Sequence, residues 1–233
     1  MITITPCGAV GEVTGSGYLV ETSRTRVLVD FGMFQGVGAT DEKNAALGPV
    51  DPRRLDAVVL THAHLDHTGR LPVLVRAGYA GPIFGTAATI DFTDLIISDS
   101  GRIQEADAAR ANRVAEREGR DPVEPLYTSE DVSRVRPLLR PIVYDTSVEV
   151  APGITVRLVD AGHILGSASI DMTVVDGGVT RTIAFSGDVG PPGVPFLRDP
   201  VPLERADVVL LESTYGDRDH RPLTETVAEF REV

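Results

Sequence analysis

The segment Thr61-His62-Ala63-His64-Leu65-Asp66-His67 contains three of the chain's five histidines within six residues. It directly follows Asp56-Ala-Val-Val-Leu60, an apolar run that is typical of a buried strand. We therefore expect the segment to form a loop at the end of that strand, where a rigid sheet edge positions functional groups. Imidazole nitrogens and carboxylate oxygens at this density indicate a metal site more strongly than a solvated turn.

The spacing within this segment predicts two metal positions. His62 and His64 are two residues apart and can turn toward one ion from an extended backbone. Asp66 and His67 follow a turn and can face a second ion a few ångströms away. Such ligands suit zinc, and also manganese or iron where carboxylates are numerous.

Two further candidate ligands follow predicted strands later in the chain. His163 comes directly after one apolar strand and Asp188 comes after another, beside glycines that allow close backbone approach. A single histidine or aspartate after a strand usually serves a turn, but the histidine segment favours a shared site. Asp188 would then bridge two ions and complete one ligand set with His62, His64 and His163.

Asp30 ends the apolar run Val27-Leu-Val-Asp30. We predict that it holds the tautomer of one metal-binding histidine by accepting a hydrogen bond from its other ring nitrogen. An aspartate that simply ends a strand in a turn is the competing interpretation.

Strand and helix signals come in separate batches. Short β-rich runs occupy the first third, and the β pattern returns from Pro141. Between them, helices are predicted for 71–78, 86–98 and 103–118, and a capping signature at Thr128 begins another. This order predicts an α/β fold with two packed β-sheets flanked by helices, rather than one doubly wound parallel sheet.

Composition sets outer limits on the function. The chain has 233 residues, of which 42% are hydrophobic, and this suits one substantial domain. It has no run of about eighteen apolar residues and no signal-peptide pattern, and its one cysteine, Cys7, excludes an internal disulfide. We therefore expect a cytoplasmic protein without a membrane segment.

The net charge of -12 argues against nucleic-acid binding by bulk electrostatics, so metal ions, a local basic cleft or further chain must supply the cations.

These motifs resemble the metallo-β-lactamase superfamily, and more narrowly its β-CASP branch, which includes the nuclease subunit of the cleavage and polyadenylation specificity factor. The resemblance spans nearly the whole chain. Its marks are Gly11-Glu-Val-Thr-Gly-Ser16, Asp30-Phe-Gly-Met-Phe-Gln-Gly36, Thr61-His-Ala-His-Leu-Asp-His67, Ala161-Gly-His-Ile-Leu-Gly-Ser167, Phe185-Ser-Gly-Asp188 and Leu211-Glu-Ser-Thr-Tyr-Gly216. The last motif is the most selective and points to RNA-processing members.

The resemblance implies a fold, a ligand set and catalytic roles. The fold would be the αββα sandwich with two mixed sheets, formed here by residues 1–216 and incomplete at the C-terminus, with 217–233 leading toward an inserted β-CASP domain. The ligands that it implies for two Zn²⁺ ions, with Mn²⁺ as the other candidate, are His62, His64, His163 and bridging Asp188 for the first ion, and Asp66, His67 and Asp188 for the second. Asp66 would also orient the nucleophile, and Glu212 would help to protonate the leaving group.

The activity implied is that of a metal-dependent ribonuclease that hydrolyses RNA through a hydroxide bridging the two ions. We expect this chain to be weak or inactive, because the family's further histidine ligand and the histidine partner of Glu212 have no counterpart before Val233. His220 is expected to be a surface or cleft residue. Two alternatives stay open: a hydrolase of a small thioester or lactone, and a non-catalytic RNA-processing scaffold. RNA is the expected partner, and a homodimer is compatible with the sequence.

Overall fold

The computed structural model describes residues 1–36, 40–219 and 221–232. His220, for which a surface or cleft position is predicted, lies outside the described residues. None of the helices within the described ranges combines the length and the apolar character that crossing a membrane requires.

The first sheet has six strands that lie side by side in chain order. They are β1 (Thr3–Gly8), β2 (Gly17–Glu21), β3 (Arg26–Val29), β4 (Ala57–Val59), β5 (Ile83–Gly85) and β6 (Leu139–Pro141). Strands β1 to β3 pair antiparallel, whereas β3 to β6 pair parallel. Because Val29 pairs with Val59, the residues that follow β3 and β4 leave the sheet at the same edge.

The second sheet has five strands in the order β11-β10-β9-β8-β7. They are β7 (Ser147–Ala151), β8 (Ile154–Asp160), β9 (Ala168–Asp176), β10 (Val179–Phe185) and β11 (Val208–Leu210). All neighbours pair antiparallel except β10 and β11, which are parallel. Both sheets are therefore mixed, and the α/β prediction is confirmed.

The two sheets pack face to face through a shared apolar core. Val29 and Val59 of the first sheet lie in the same buried cluster as Val156, Leu158 and Ile170 of the second. Burial of these side chains is the main favourable contribution to joining the sheets, at about 1.5–3 kcal/mol for each fully buried aliphatic side chain.

Helices cover the other face of the first sheet. The six helices of the described residues are α1 (Thr40–Ala45), α2 (Leu65–Thr68), α3 (Leu71–Arg76), α4 (Ala87–Glu118), α5 (Ser129–Val135) and α6 (Leu223–Phe230). Leu71 and Leu74 of α3, Ile97 of α4 and Val132 of α5 are buried against Val58 of the sheet in a second apolar cluster.

The two helices predicted for 86–98 and 103–118 are wrong, because the structure has one continuous helix, α4. Gly101 lies inside it, near Tyr127 and Val132, and does not interrupt the helix. The packing of α4 against the sheet and against α5 offsets the cost of about 1 kcal/mol for glycine in a helix. The helix ends at Gly119, whose φ of 66° is left-handed, as the sequence predicts for its C-terminal end.

Candidate metal centre

Three loops meet at one end of the sandwich, and each follows the carboxyl end of a strand. His62 and His64 follow β4 in the first sheet, whereas His163 follows β8 and Asp188 follows β10 in the second. A backbone hydrogen bond between the sheets fixes their separation here: the amide of Ala168 donates to the carbonyl oxygen of Thr61 at 2.8 Å.

Four side chains converge at the centre of this end. Nδ1 of His64 lies 3.1 Å from Nε2 of His62 and 3.2 Å from Nε2 of His163. Oδ2 of Asp188 lies 3.7 Å from Nε2 of His62 and 3.5 Å from Nε2 of His163. All four ligand atoms lie within 4.8 Å of one another. A tetrahedral ion with ligands at about 2.0–2.1 Å separates its ligand atoms by roughly 3.4 Å, so these residues fit one ion.

A second group of ligand atoms adjoins the first through the same carboxylate. Oδ1 of Asp188 lies 3.3 Å from Nε2 of His67, which is 4.0 Å from Oδ2 of Asp66. Asp188 therefore faces the three-histidine group with one oxygen and His67 with the other. This is the arrangement that a carboxylate bridging two ions requires.

Asp30 and Thr61 contact His67 of the second group at Nδ1, the ring nitrogen that does not face Asp188. Oδ2 of Asp30 lies 2.8 Å from Nδ1 of His67 and accepts a hydrogen bond from Oγ1 of Thr61 at 2.8 Å. Its Oδ1 accepts from the backbone amide of Thr61, also at 2.8 Å. These contacts orient the His67 ring so that Nε2 faces Asp188. This role of Thr61 is not among those predicted from the sequence, although its position directly before His62 is a usable signal.

The electrostatics of the two groups differ. Burial, and then neighbouring His67, lower the pKa of His62 well below its ordinary value; burial and then His163 lower the pKa of His64. Both imidazoles are therefore neutral, which is the form that binds a metal. Burial also opposes a charge on His67, but Asp30 and Asp188 outweigh it and raise its pKa to about 10. The surroundings of His67 thus favour a cation.

Burial opposes ionisation of Asp188 as well, but the hydrogen bond from His67 and the positive charge of that residue hold the pKa of Asp188 below its ordinary value. Its carboxylate is therefore ionised at neutral pH. The ionised carboxylate of Asp188, between the neutral imidazoles of His62 and His64 and the cation-favouring surroundings of His67, provides negative charge that a divalent cation needs.

The segment after β3 is hydrogen-bonded to the backbone of the metal loop, residues 61–67. The amides of Phe31 and Met33 donate to the carbonyl oxygens of His67 and Leu65 at 2.8 and 2.9 Å. Between them, Gly32 lies so close to Asp66 that an added Cβ would overlap the Asp66 carbonyl group. The glycine of the motif Asp30-Phe-Gly is therefore required by close approach of two backbones.

Glu212 lies beside the second group. Its Oε1 accepts from the amide of Val189 at 2.6 Å, and its own amide donates to Oγ of Ser186 at 2.9 Å. Glu212, His67 and Asp188 line one cavity of about 300 Å³. The structure thus places Glu212 at the wall of a pocket that opens onto the candidate metal centre.

The fold is an α/β sandwich of two mixed sheets. Where its strand-end loops meet, it carries a cluster of histidine and aspartate side chains of the kind that binds metal ions. The chain belongs to the metallo-beta-lactamase superfamily, whose family model matches residues 10–231. It is 41% identical over 230 residues to "Ribonuclease TTHA0252" of Thermus thermophilus, a match that covers 99% of this chain and 48% of the relative. It is 35% identical over 221 residues to "Transcription termination factor FttA" of Cenarchaeum symbiosum, with 94% of this chain and 32% of the relative covered.

Among solved structures, the metallo-beta-lactamase fold protein YhfI from Bacillus subtilis matches with a TM-score of 0.46 and 22% identity, over 80% of this chain and 63% of that one. The chain spans about half the length of the first curated relative and about a third of the second. The resemblance to the superfamily and its RNA-processing β-CASP branch, predicted from the motifs, is confirmed.

Proposed function

We propose that this chain carries the metal site of a ribonuclease that hydrolyses phosphodiester bonds in RNA with two divalent ions. The observation that carries the proposal is the position of Asp188, whose two oxygens face two separate groups of ligand atoms. Hydrolysis of phosphodiesters commonly uses two ions about 3.5–4 Å apart, one for each side of the displacement. The printed names of the relatives, a ribonuclease and a transcription termination factor, favour RNA as the substrate.

The proposal assigns each ligand to one of two positions. His62, His64 and His163 hold the first ion, and Asp66 and His67 hold the second, with Asp188 shared between them. Zinc suits the first position best because three of its four ligand atoms are imidazole nitrogens. The second position has one imidazole and two carboxylates, a set that also accepts manganese.

The chain's own residues would then divide the chemistry. The bound ions supply a nucleophile from water near neutral pH and offset charge on the phosphate. Asp66 orients that water and accepts its proton, because its carboxylate flanks the second position. Glu212, fixed by the amide of Val189 on the wall of the same cavity, would help to protonate the leaving oxygen by orienting the acid that gives the proton, a group that the described residues do not supply.

The activity of this chain is expected to be slow. Among the described residues the second ion has three protein ligands, and Glu212 has no histidine partner for the proton transfer. The net charge of -12 also opposes the binding of nucleic acid by bulk electrostatics. We further propose that residues 1–216 form the metallo-β-lactamase domain, that 217–233 begin a segment leading to another domain, and that the protein acts in the cytoplasm.

The test compares metal content and hydrolysis in one series. The 233-residue chain is loaded with Zn²⁺ or Mn²⁺ and given a labelled RNA, the DNA of the same sequence, and a thioester. We expect bound metal and slow cleavage of RNA in preference to both other substrates. His64→Ala should lose metal and cleavage together, and Asp188→Asn should do the same, whereas Asp171→Asn on the second sheet, a matched control, should keep both.

Two results would contradict the proposal. Full metal content and cleavage in His64→Ala would remove the site assignment. Hydrolysis of the thioester in place of RNA by the metal-loaded chain would favour the small-molecule hydrolase instead.

A further inference from the structure

The loop that carries His163 is attached to the amino-terminal end of helix α4. The hydroxyl groups of Thr86 and Thr89 both donate to the carbonyl oxygen of Gly166, at 2.7 and 2.8 Å. Both threonines are buried, with 3% and 0% of their surface exposed. Thr86 follows β5 of the first sheet and Gly166 precedes β9 of the second, so this contact joins the two sheets beside the metal centre.

The same loop is fixed internally by Ser167. Oγ of Ser167 accepts hydrogen bonds from the amides of His163 and Ile164, at 3.0 and 3.2 Å. The hydroxyl of Tyr144 donates to the carbonyl oxygen of Ser167 at 2.8 Å. The backbone of His163 is thus connected, through Ser167 and Gly166, to side chains outside its own loop.

Gly166 is shaped for this contact. Its φ of 88° is left-handed, and an added Cβ would lie 2.7 Å from the amide nitrogen of Thr89 and 2.8 Å from Oγ1 of Thr86. Only glycine permits such an approach of the loop to the helix end. The hydroxyl contacts therefore depend on the left-handed backbone of Gly166 and on the close packing of its loop against α4.

The two threonines have different additional roles. Oγ1 of Thr86 also accepts from the amide of Thr89 at 3.1 Å and so caps α4. The hydroxyl of Thr89 does not cap α4, but it lies 3.0 Å from Oγ1 of Thr86, so its removal takes away this contact together with the bond to Gly166 and leaves the bond from the Thr89 amide to Thr86 in place. One turn further along α4, Thr93 is also fully buried, and its hydroxyl has no hydrogen-bond partner within the described part of the chain.

We infer that Thr89, together with Thr86, is a positioning residue for His163. The first-ion ligands come from two sheets, His62 and His64 from one and His163 from the other, so their spacing depends on what joins the sheets at this end. The rigid start of α4 holds the His163 loop at the distance that one ion requires. This inference rests on the proposed metal site and adds residues that contact neither the ion nor the substrate.

The experiment measures metal affinity apart from activity. The full 233-residue chain is titrated with Zn²⁺ against a chelator of known affinity, and the absorption spectrum of bound Co²⁺ reports the geometry of the site. Thr89→Val keeps the shape of the side chain but removes the hydroxyl. We expect Zn²⁺ binding to weaken about 10–100-fold, which is the loss found when a group that supports a metal ligand is removed. The Co²⁺ spectrum should change as well. Thr89→Ser should restore both.

Thr93→Val is the matched control, since it makes the same change in the same helix where no hydrogen bond is lost. It should leave Zn²⁺ affinity and the Co²⁺ spectrum unchanged. Thermal unfolding of each metal-free variant shows whether the fold is intact, and Thr89→Ala, with the same expectation, replaces Thr89→Val if that variant does not fold.

The outcomes separate this inference from the proposed function. Zn²⁺ affinity of wild-type strength in a folded Thr89→Val chain, or an equal loss in Thr93→Val, would overturn the positioning role and leave the metal site standing. A wild-type chain that binds neither Zn²⁺ nor Co²⁺ would overturn the proposed function itself.

Discussion

Oδ2 of Asp30 lies 2.8 Å from Nδ1 of His67, and both side chains are buried beneath the candidate metal centre. The contact fixes the ring of His67 from behind, so that Nε2 faces Asp188. Asp30 itself has a left-handed backbone, with a φ of 55°, and its carboxylate also binds the amide and hydroxyl of Thr61. One residue thus connects the end of β3 to the segment that begins the metal loop.

Asp30→Asn should selectively weaken the second ion. Asparagine tolerates the left-handed backbone, so the fold is kept, but the anionic partner of His67 is lost. We expect affinity for the second ion to fall about 10–100-fold, with a smaller effect on the first. Calorimetric titration with Zn²⁺ measures both. Asp145→Asn is the control, because Asp145 also has a left-handed φ, of 58°, but lies on the surface. Two ions bound with unchanged affinity in Asp30→Asn would show that Asp30 only ends a strand.

Gly32→Ala should destabilise the metal loop. The added methyl group would overlap the carbonyl group of Asp66, so one of two hydrogen-bonded backbones must move. We expect a loss of about 1–3 kcal/mol or more in the free energy of unfolding, measured with urea on the metal-free chain.

Gly101→Ala is the informative comparison for Gly32→Ala. Its new Cβ would meet ordinary contacts of 3.4–3.7 Å inside α4, and we expect it to stabilise the chain by about 0.4–1 kcal/mol. Equal effects of the two substitutions would contradict the close approach at Gly32.

The stability of the chain should depend on Tyr144 at high pH. Burial, and then the charge of Asp160, raise the pKa of Tyr144 to about 12. The folded state therefore keeps the phenol proton over a range in which the unfolded chain, with a pKa of about 10, has lost it. The stabilisation from this proton is complete below pH 10 and is lost as the pH rises through 12.

Tyr144→Phe tests this directly. Between pH 10 and 12 the unfolding free energy of the wild-type chain should fall more steeply than that of the variant, because phenylalanine has no proton to lose. Parallel curves for the two chains across that range would show that the pKa of Tyr144 is the same in the folded and unfolded states.

Much of the fold follows from local patterns in the chain. The β-rich runs at each end and the glycine at position 119 predict the two batches of strands and the end of α4 correctly. The capping signature at Thr128 is also confirmed, since Thr128 and Asp131 form a reciprocal capping box. The continuity of α4 is not predictable locally, because a glycine gives the same signal whether it ends a helix or, like Gly101, lies within one.

The candidate site shows the same division. Residue type and strand-end position suffice to predict that His62, His64, His163 and Asp188 share one place, and the structure brings their ligand atoms together. The supporting contacts are different. Nothing near Thr89 in sequence indicates a metal site, since its partner Gly166 is 77 residues away. Such contacts arise from the packing of two sheets, which sequence patterns do not encode pair by pair.

The most direct test of the account is anomalous X-ray diffraction from crystals of this chain grown with Zn²⁺ and measured on both sides of the zinc edge. We expect a peak bounded by Nε2 of His62, Nδ1 of His64, Nε2 of His163 and Oδ2 of Asp188. A second, weaker peak should lie between His67 and Asp66, on the Oδ1 side of Asp188. Well-ordered crystals in which these side chains turn away from one another, with no peak among them, would contradict it.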